Sequence, residues 1–433
     1  MTTEVLSFTI LILGLLAVFA FDQYRLPIIL GVSSLLFTWA MARGFGEEYH
    51  HLWHEVYAPL ILETLAIMAV AMTIVGTLNR GGGFFVWLRQ YIASIAKTDK
   101  EQMNKTDDYT WGLSYVIDNM TVAVAMGILI RKFYGDAKTK LDNLHIASAR
   151  VIAMSNAGGA ASPVGDITTI LLWIAGLVSP LSLTMYALLP SLVYKQVIHW
   201  WYSARIVQDI ADAAVVHEEV KLTKGQRAVN IAGLAGFGLP VIYMWFGGLA
   251  IVGLMVSLAI VLYIYVTFCK DVHAHNHLED ELDRIFGEVD IKAWVFIFAA
   301  LMAVFSVQLL GGTDLITPPE NIAFWWAVAY IIGMGLLSGI VENVALVLLM
   351  IVTMSGVMGM NPGTADLIAL CAGVGANWNL LGSVPGAIMA GRIPGLTSAR
   401  YLKIAAIPNL IAYFAAVGTW LTLVWVYTLL GWR

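Results

Sequence analysis

The chain has 433 residues, of which 59% are hydrophobic and only 12% charged, with a formal net charge of −5. A soluble domain carries roughly a quarter charged residues, so this composition excludes a soluble globular protein. The net charge is too small to suggest a nucleic-acid partner, and Cys269 and Cys371 lie at or in apolar segments, so no disulfide framework is implied.

The N-terminus, MTTEVLSFTI, has no basic n-region or small-residue cleavage site, so the first apolar run is expected to remain as a permanent span. Apolar segments follow near 7–22, 25–42, 56–78, 108–130, 145–178 and 181–203. They resume near 228–245, 249–268, 293–311, 323–358, 365–391 and 404–430, most of them of spanning length. Between 86 and 97 the mixed stretch VWLRQYIASIAK reads as an interfacial helix rather than a span. The charged stretch 205–227 separates residues 1–204 from 228–433 and is expected to be a cytoplasmic linker.

Two segments carry an acid–Asn pair at their centre: Asp118-Asn119 in 108–130 and Glu342-Asn343 in 323–358. Taking each as a re-entrant hairpin, and 145–178 and 365–391 as spans broken in the middle, makes a testable pattern of charge. With the N-terminus outside, every Lys and Arg except Arg43, Lys195 and Arg433 falls on the inner side. The two hairpins then open to opposite faces. The expected fold is an all-α polytopic membrane protein of two inverted-topology repeats, each with one re-entrant hairpin and one broken transmembrane helix, as in many secondary transporters.

Ionisable groups at membrane depth usually face a cavity or an ion path. Glu63, Asp118, Asp166, Glu342 and Asp366 are the candidates. Glu63 and Asp366 stand alone near segment ends and read as structural caps or partners. Asp118 comes with Asn119 and Thr121, and Glu342 with Asn343. Asp166 sits in SNAGGAASPVGDITTIL, where Ser155 and Asn156 precede a Gly- and Pro-rich stretch and Thr168 and Thr169 follow the acid. Gly and Pro unwind a helix, and unwound backbone at this depth is tolerated where it is buried or lines a cavity. The oxygens so gathered suit a small hard cation. The counterpart GVGANWNLLGSVPG offers Asn377 and Ser383 but no carboxylate. A desolvated carboxylate holds either a proton or a cation, so competition for one site would couple two fluxes. His50, His51 and His54, and likewise His273, His275 and His277, read as solvated loop residues rather than metal sites.

IDNMTVAVAM, SNAGGAASPVGDITTILLWIAGLVSP and SGIVENVALV resemble the signature segments of NhaD-type sodium/proton antiporters of the ion transporter superfamily. The resemblance covers both halves in order. It implies exchange of Na⁺ or Li⁺ for H⁺ in a bacterial inner membrane, a homodimer, no cofactor, and two hairpins flanking a central site. By motif position it points to Asp118, Asn119, Asn156, Asp166, Thr168, Thr169, Ser338 and Asn343. The family typically has Asp-Asn-Val-Pro where this chain has Glu342-Asn343-Val344-Ala345. A Na⁺-coupled carrier of a dicarboxylate or arsenite, in the same superfamily, is the alternative. Against it, the hairpin tips offer no Arg or Lys to pair an anion. An intramembrane hydrolase would want a nucleophile–base pair or His-based motif within the spans, and none is seen.

Overall fold

The computed structural model describes residues 2–44, 46–134, 141–203, 221–268, 278–287, 289–319, 322–358 and 363–431, which form helices and connecting turns. Most of the 205–227 stretch, and His273, His275 and His277, lie outside the described residues.

In chain order, α1 (Thr3–Ala20) and α2 (Arg25–Arg43) form the first pair, and α3 (Gly46–His51) runs through a π-helical stretch into α4 (Ala58–Arg80). Then come α5 (Phe84–Ile95), α6 (Asp99–Val116), α7 (Asn119–Tyr134), α8 (Leu141–Ala160), α9 (Ile167–Ile174), α10 (Pro180–Tyr186) and α11 (Leu188–Ser203). The later part has α12 (Lys224–Gly236), α13 (Leu239–Trp245), α14 (Ala250–Phe268), α15 (Leu278–Phe286) and α16 (Ile291–Leu309). It ends with α17 (Phe324–Leu337), α18 (Asn343–Met358), α19 (Thr364–Gly375), α20 (Val384–Arg392) and α21 (Ser398–Leu429).

Among the described residues, six helices are individually long and apolar enough to cross a membrane, and α10 with α11 forms a further pair bent by 46°. The four unusual segments are each two helices meeting at a break, because their centres hold residues that end helices. Ile117–Asp118 separates α6 from α7, residues 161–166 separate α8 from α9, 338–342 separate α17 from α18, and 376–383 separate α19 from α20. The Tyr134 hydroxyl at the end of α7 donates to the Asp99 carbonyl at the start of α6, 3.3 Å away, so this pair doubles back on itself. Tyr330 of α17 likewise reaches Thr353 of α18. The first leg begins at Asp99, well before the apolar window at 108. Its polar side is buried against protein, through Asp99, Gln102, Thr106, Asp107 and Thr110, rather than against lipid.

The stretch 86–97 lies mostly in α5, which ends at Ile95, with Leu88 and Ile92 buried and Val86, Tyr91 and Ile95 exposed, the two-faced pattern of an interfacial helix. α21 contains Pro408, which cannot donate to the Ile404 carbonyl one turn earlier. The Tyr202 hydroxyl of α11 takes that carbonyl instead, at 2.9 Å. A Tyr202→Phe substitution is expected to leave it unpartnered and lower stability by about 1–3 kcal/mol, read as a fall in melting temperature of the detergent-purified protein. An unchanged melting temperature would contradict this role.

Candidate functional site: two broken helices and two hairpin tips

The four breaks converge. Each doubled-back pair presses its tip onto a broken helix, and small residues permit the approach. A Cβ on Gly158 would lie 2.2 Å from the Trp111 carbonyl oxygen, and one on Gly165 would lie 2.2 Å from that of Ser114. The second half repeats this: a Cβ on Gly375 would lie 2.2 Å from the Gly335 carbonyl oxygen, and one on Gly382 would lie 2.9 Å from that of Ser338. Ser114 donates to the Ser155 carbonyl, and Ser338 donates to Gly335 and, at 3.4 Å, to Ala372. The obstacles at Gly165 are backbone atoms that cannot swing away, so Gly165→Ala is expected to cost about 1–3 kcal/mol. Thermal unfolding in detergent reads this, and an unchanged midpoint would contradict the close packing.

Each break also supplies the N-terminus of its second helix, where amides lack intrahelical partners. Asp118 Oδ1 accepts from the Thr121 amide at 2.9 Å, and Oδ2 accepts from the Thr121 hydroxyl at 2.6 Å. Asp166 Oδ1 accepts from the Thr168 amide at 3.1 Å, and the Thr169 hydroxyl donates to the Asp166 carbonyl at 2.7 Å. Glu342 Oε2 accepts from the Val344 and Ala345 amides at 2.9 and 3.1 Å. Ser383 caps α20 as Asp166 caps α9, so the missing second carboxylate of the broken helices is a serine.

Capping therefore explains Asp118 fully and the other two acids only by half. Asp166 Oδ2 and the Thr168 hydroxyl on one side, and Glu342 Oε1 and Asn343 Oδ1 on the other, are buried with no hydrogen-bond partner. Buried polar atoms are normally satisfied, and α9, which begins just after Asp166, packs against α18, which begins just after Glu342. Asp166 lies within electrostatic reach of Asp118 and of Glu342, so its negative charge repels each of theirs when ionised. A cation or a proton relieves that repulsion. Arg25 on α2 is within electrostatic reach of Glu342. Among the described residues, no three His, Cys, Asp or Glu side chains converge to hold a metal ion.

Amide side chains tie the breaks together. The Asn119 side-chain amide donates to Asn156 Oδ1 at 3.0 Å, and that of Asn156 donates to Asn377 Oδ1 at 2.6 Å and to Ser383 Oγ at 2.9 Å. Asn377 donates to the Tyr194 hydroxyl at 2.9 Å, and Tyr194 donates to Asn409. The Tyr401 hydroxyl donates to the Asn377 carbonyl at 2.9 Å. Asn119, Asn156 and Asn377 therefore hold the breaks in register. The polar atoms left over at the breaks are those of Asp166, Thr168, Glu342 and Asn343, together with Asn379 Oδ1.

Two cavities reach the tips, both from the end of the molecule where α16 begins. One of about 320 Å³ runs past Arg89, Lys132 and Arg392 to Met120 and Thr121. The other, about 40 Å³, is lined by Arg25, Glu342 and Ser383.

The family model for citrate transporters (CitMHS) matches residues 6–375. The chain belongs to this family. The chain is 28% identical over 359 residues to the Na⁺/H⁺ antiporter NhaD of Vibrio parahaemolyticus, covering 77% of this chain and 83% of that one. It is 24% identical to the NhaD of Alkalimonas amylolytica over 394 residues, 83% of this chain and 77% of that protein. The resemblance to NhaD-type antiporters seen in the motifs is thus borne out along the chain. Among solved structures, the YdaH transporter of Alcanivorax borkumensis superposes with a TM-score of 0.50 at 13% identity, covering 94% of this chain and 98% of that one. That likeness concerns the fold.

The other candidates of this family member fall into structural roles. Glu63 Oε1 accepts from the Ile251 amide at 3.4 Å, in the first turn of α14, and Asp366 Oδ1 accepts from the Ser182 hydroxyl at 2.9 Å. His51 pairs with Glu55 at 3.0 Å on an exposed surface, and His50 stacks on His54, so these histidines do not converge. Arg150, counted above among the inner-side charges, is fully buried in α8. It meets Asp107 at 2.6 Å and Asn104 at 2.7 Å, and His199 Nε2 lies 3.0 Å from the same Asp107 oxygen. Lys195 on α11 pairs with Asp108 at 2.7 Å.

Proposed function

We propose that the protein is a secondary antiporter that exchanges Na⁺ or Li⁺ for H⁺ by alternating access, with cation and proton competing for Asp166 and Glu342. The observation that carries this reading is that Asp166 Oδ2, Thr168 Oγ1, Glu342 Oε1 and Asn343 Oδ1 are buried and make no hydrogen bond. Carboxylate, hydroxyl and amide oxygens are the ligands a small hard cation takes. A neutral carboxylic acid in the same place removes the charge that holds the cation.

An internal repeat supports the alternating-access part. Ser114, Asp118 and Asn119 relate to Ser338, Glu342 and Asn343 by one constant sequence offset, and Gly158, Gly165 and Asp166 relate to Gly375, Gly382 and Ser383 by another. With the charge bias, this supports two inverted repeats, residues 1–204 and 228–433, joined by a cytoplasmic linker. The cavities past Arg89 and Arg25 would then face the cytoplasm of a bacterial cell, leaving the protein open inward.

The citrate carried by the family's name is disfavoured here by the acidic cluster, which repels a tricarboxylate. The cavity beside Glu342, about 40 Å³, has room for a few waters, each of which needs roughly 10–15 Å³ of such space. Inside-out vesicles holding a pH gradient test the proposal. Na⁺ or Li⁺ is expected to collapse the gradient, and citrate without Na⁺ to leave it intact. Collapse by citrate with indifference to Na⁺ and Li⁺ would overturn the reading.

A further inference from the structure

The larger cavity has a charge that a cation route does not explain. Arg89, Lys132 and Arg392 line it against a single acid, Asp290. Asp290 already accepts from the Ala293 amide at 3.0 Å, as the cap of α16. None of the three basic side chains has a carboxylate within ion-pair distance among the described residues. Three uncompensated cations around one mouth raise its potential and would repel an incoming cation from the Thr121 end.

We propose that this vestibule is a binding site for the phosphate headgroup of an anionic membrane lipid. Charge complementarity requires an anion, and the setting of the cavity selects a lipid. Arg89 projects from α5, whose buried face carries Leu88 and Ile92 and whose Trp87 and Tyr91 rings stack at 5.4 Å. Amphipathic helices with such aromatics lie at headgroup level, where basic pockets between helices take up phosphates. Two further lining residues, Val86 and Ile128, are apolar and 43% and 47% exposed, giving the cavity a greasy rim beside its charges. A soluble anion would satisfy the charges and leave that rim bare, whereas a lipid covers both. A headgroup there also neutralises the mouth of the route to Thr121 and Asp118.

The test reads lipid retention, so it does not depend on which ion is carried. Detergent-purified protein is incubated with phosphatidylglycerol or phosphatidylcholine and examined by native mass spectrometry. The wild type is expected to retain phosphatidylglycerol in preference to phosphatidylcholine. The triple variant Arg89→Gln/Lys132→Gln/Arg392→Gln is expected to lose that preference, with each cation contributing on the order of fivefold in affinity. An unshifted melting temperature certifies that the variant is folded, and single substitutions serve if the triple one is not. Equal retention of the two lipids by the wild type, or undiminished preference in folded variants, would overturn the proposal. Displacement of the lipid by inorganic phosphate at comparable concentration would assign the charges to a soluble anion and overturn the lipid assignment.

Discussion

Asp166→Asn is expected to abolish Na⁺-dependent exchange while leaving the protein folded. Asn is as good a helix cap as Asp, so the bond that Oδ1 accepts from the Thr168 amide persists and α9 still begins where it does. What changes is the second oxygen, buried and unused in the protein, which becomes an amide nitrogen that donates instead of accepting. Losing one charge at about 4 Å costs a bound cation about 4 kcal/mol at an effective dielectric of about 20, roughly a thousandfold in affinity. Gradient collapse in inside-out vesicles measures this. Asp118→Asn is expected to do less direct damage to binding, because both Asp118 oxygens are already taken by Thr121. Full exchange by Asp166→Asn would remove this residue from the ion path.

The largest loss of stability is expected far from the ion, from Asp107→Ala. Arg150 is fully buried, and Asp107 and Asn104 are its hydrogen-bonding partners on α6, with the Tyr202 ring 5.9 Å away. Removing the aspartate strands a charge in the interior, which typically costs about 3–5 kcal/mol. Removing both ends of the pair does not, so Asp107→Ala with Arg150→Met is expected to regain most of the loss. Melting temperatures of the single and double variants in detergent report this. Equal losses in both would mean that packing, not charge, holds α6 against α8.

The breaks could be read from the sequence because they violate the pattern around them. Gly159, Pro163, Gly165 and Asp166 inside an apolar run have no place in a continuous helix, and Asn343 after Glu342 repeats Asn119 after Asp118. The division of labour within the site could not be read. Nothing local distinguishes Asn156, whose amide is spent on Asn377 and Ser383, from Asp166, whose second oxygen is free. Tyr194, Tyr401 and Asn409 form no motif along the chain, because the partner of each lies on another segment. Ser114 did leave a signal, since it precedes Asp118 by the spacing at which Ser338 precedes Glu342. The burial of Arg150 could not be read either, because charge counting locates a residue along the chain without saying what it packs against.

Competition between proton and cation at one buried site is best tested without transport. Purified protein in weakly buffered detergent solution, with a pH indicator present, is titrated with NaCl and, as a control, with choline chloride. Na⁺ is expected to release protons from the wild type, with apparent Na⁺ affinity falling as the pH is lowered, and to release few or none from Asp166→Asn. Na⁺ that binds the wild type, seen as calorimetric heat, without releasing a proton at any pH would contradict the account.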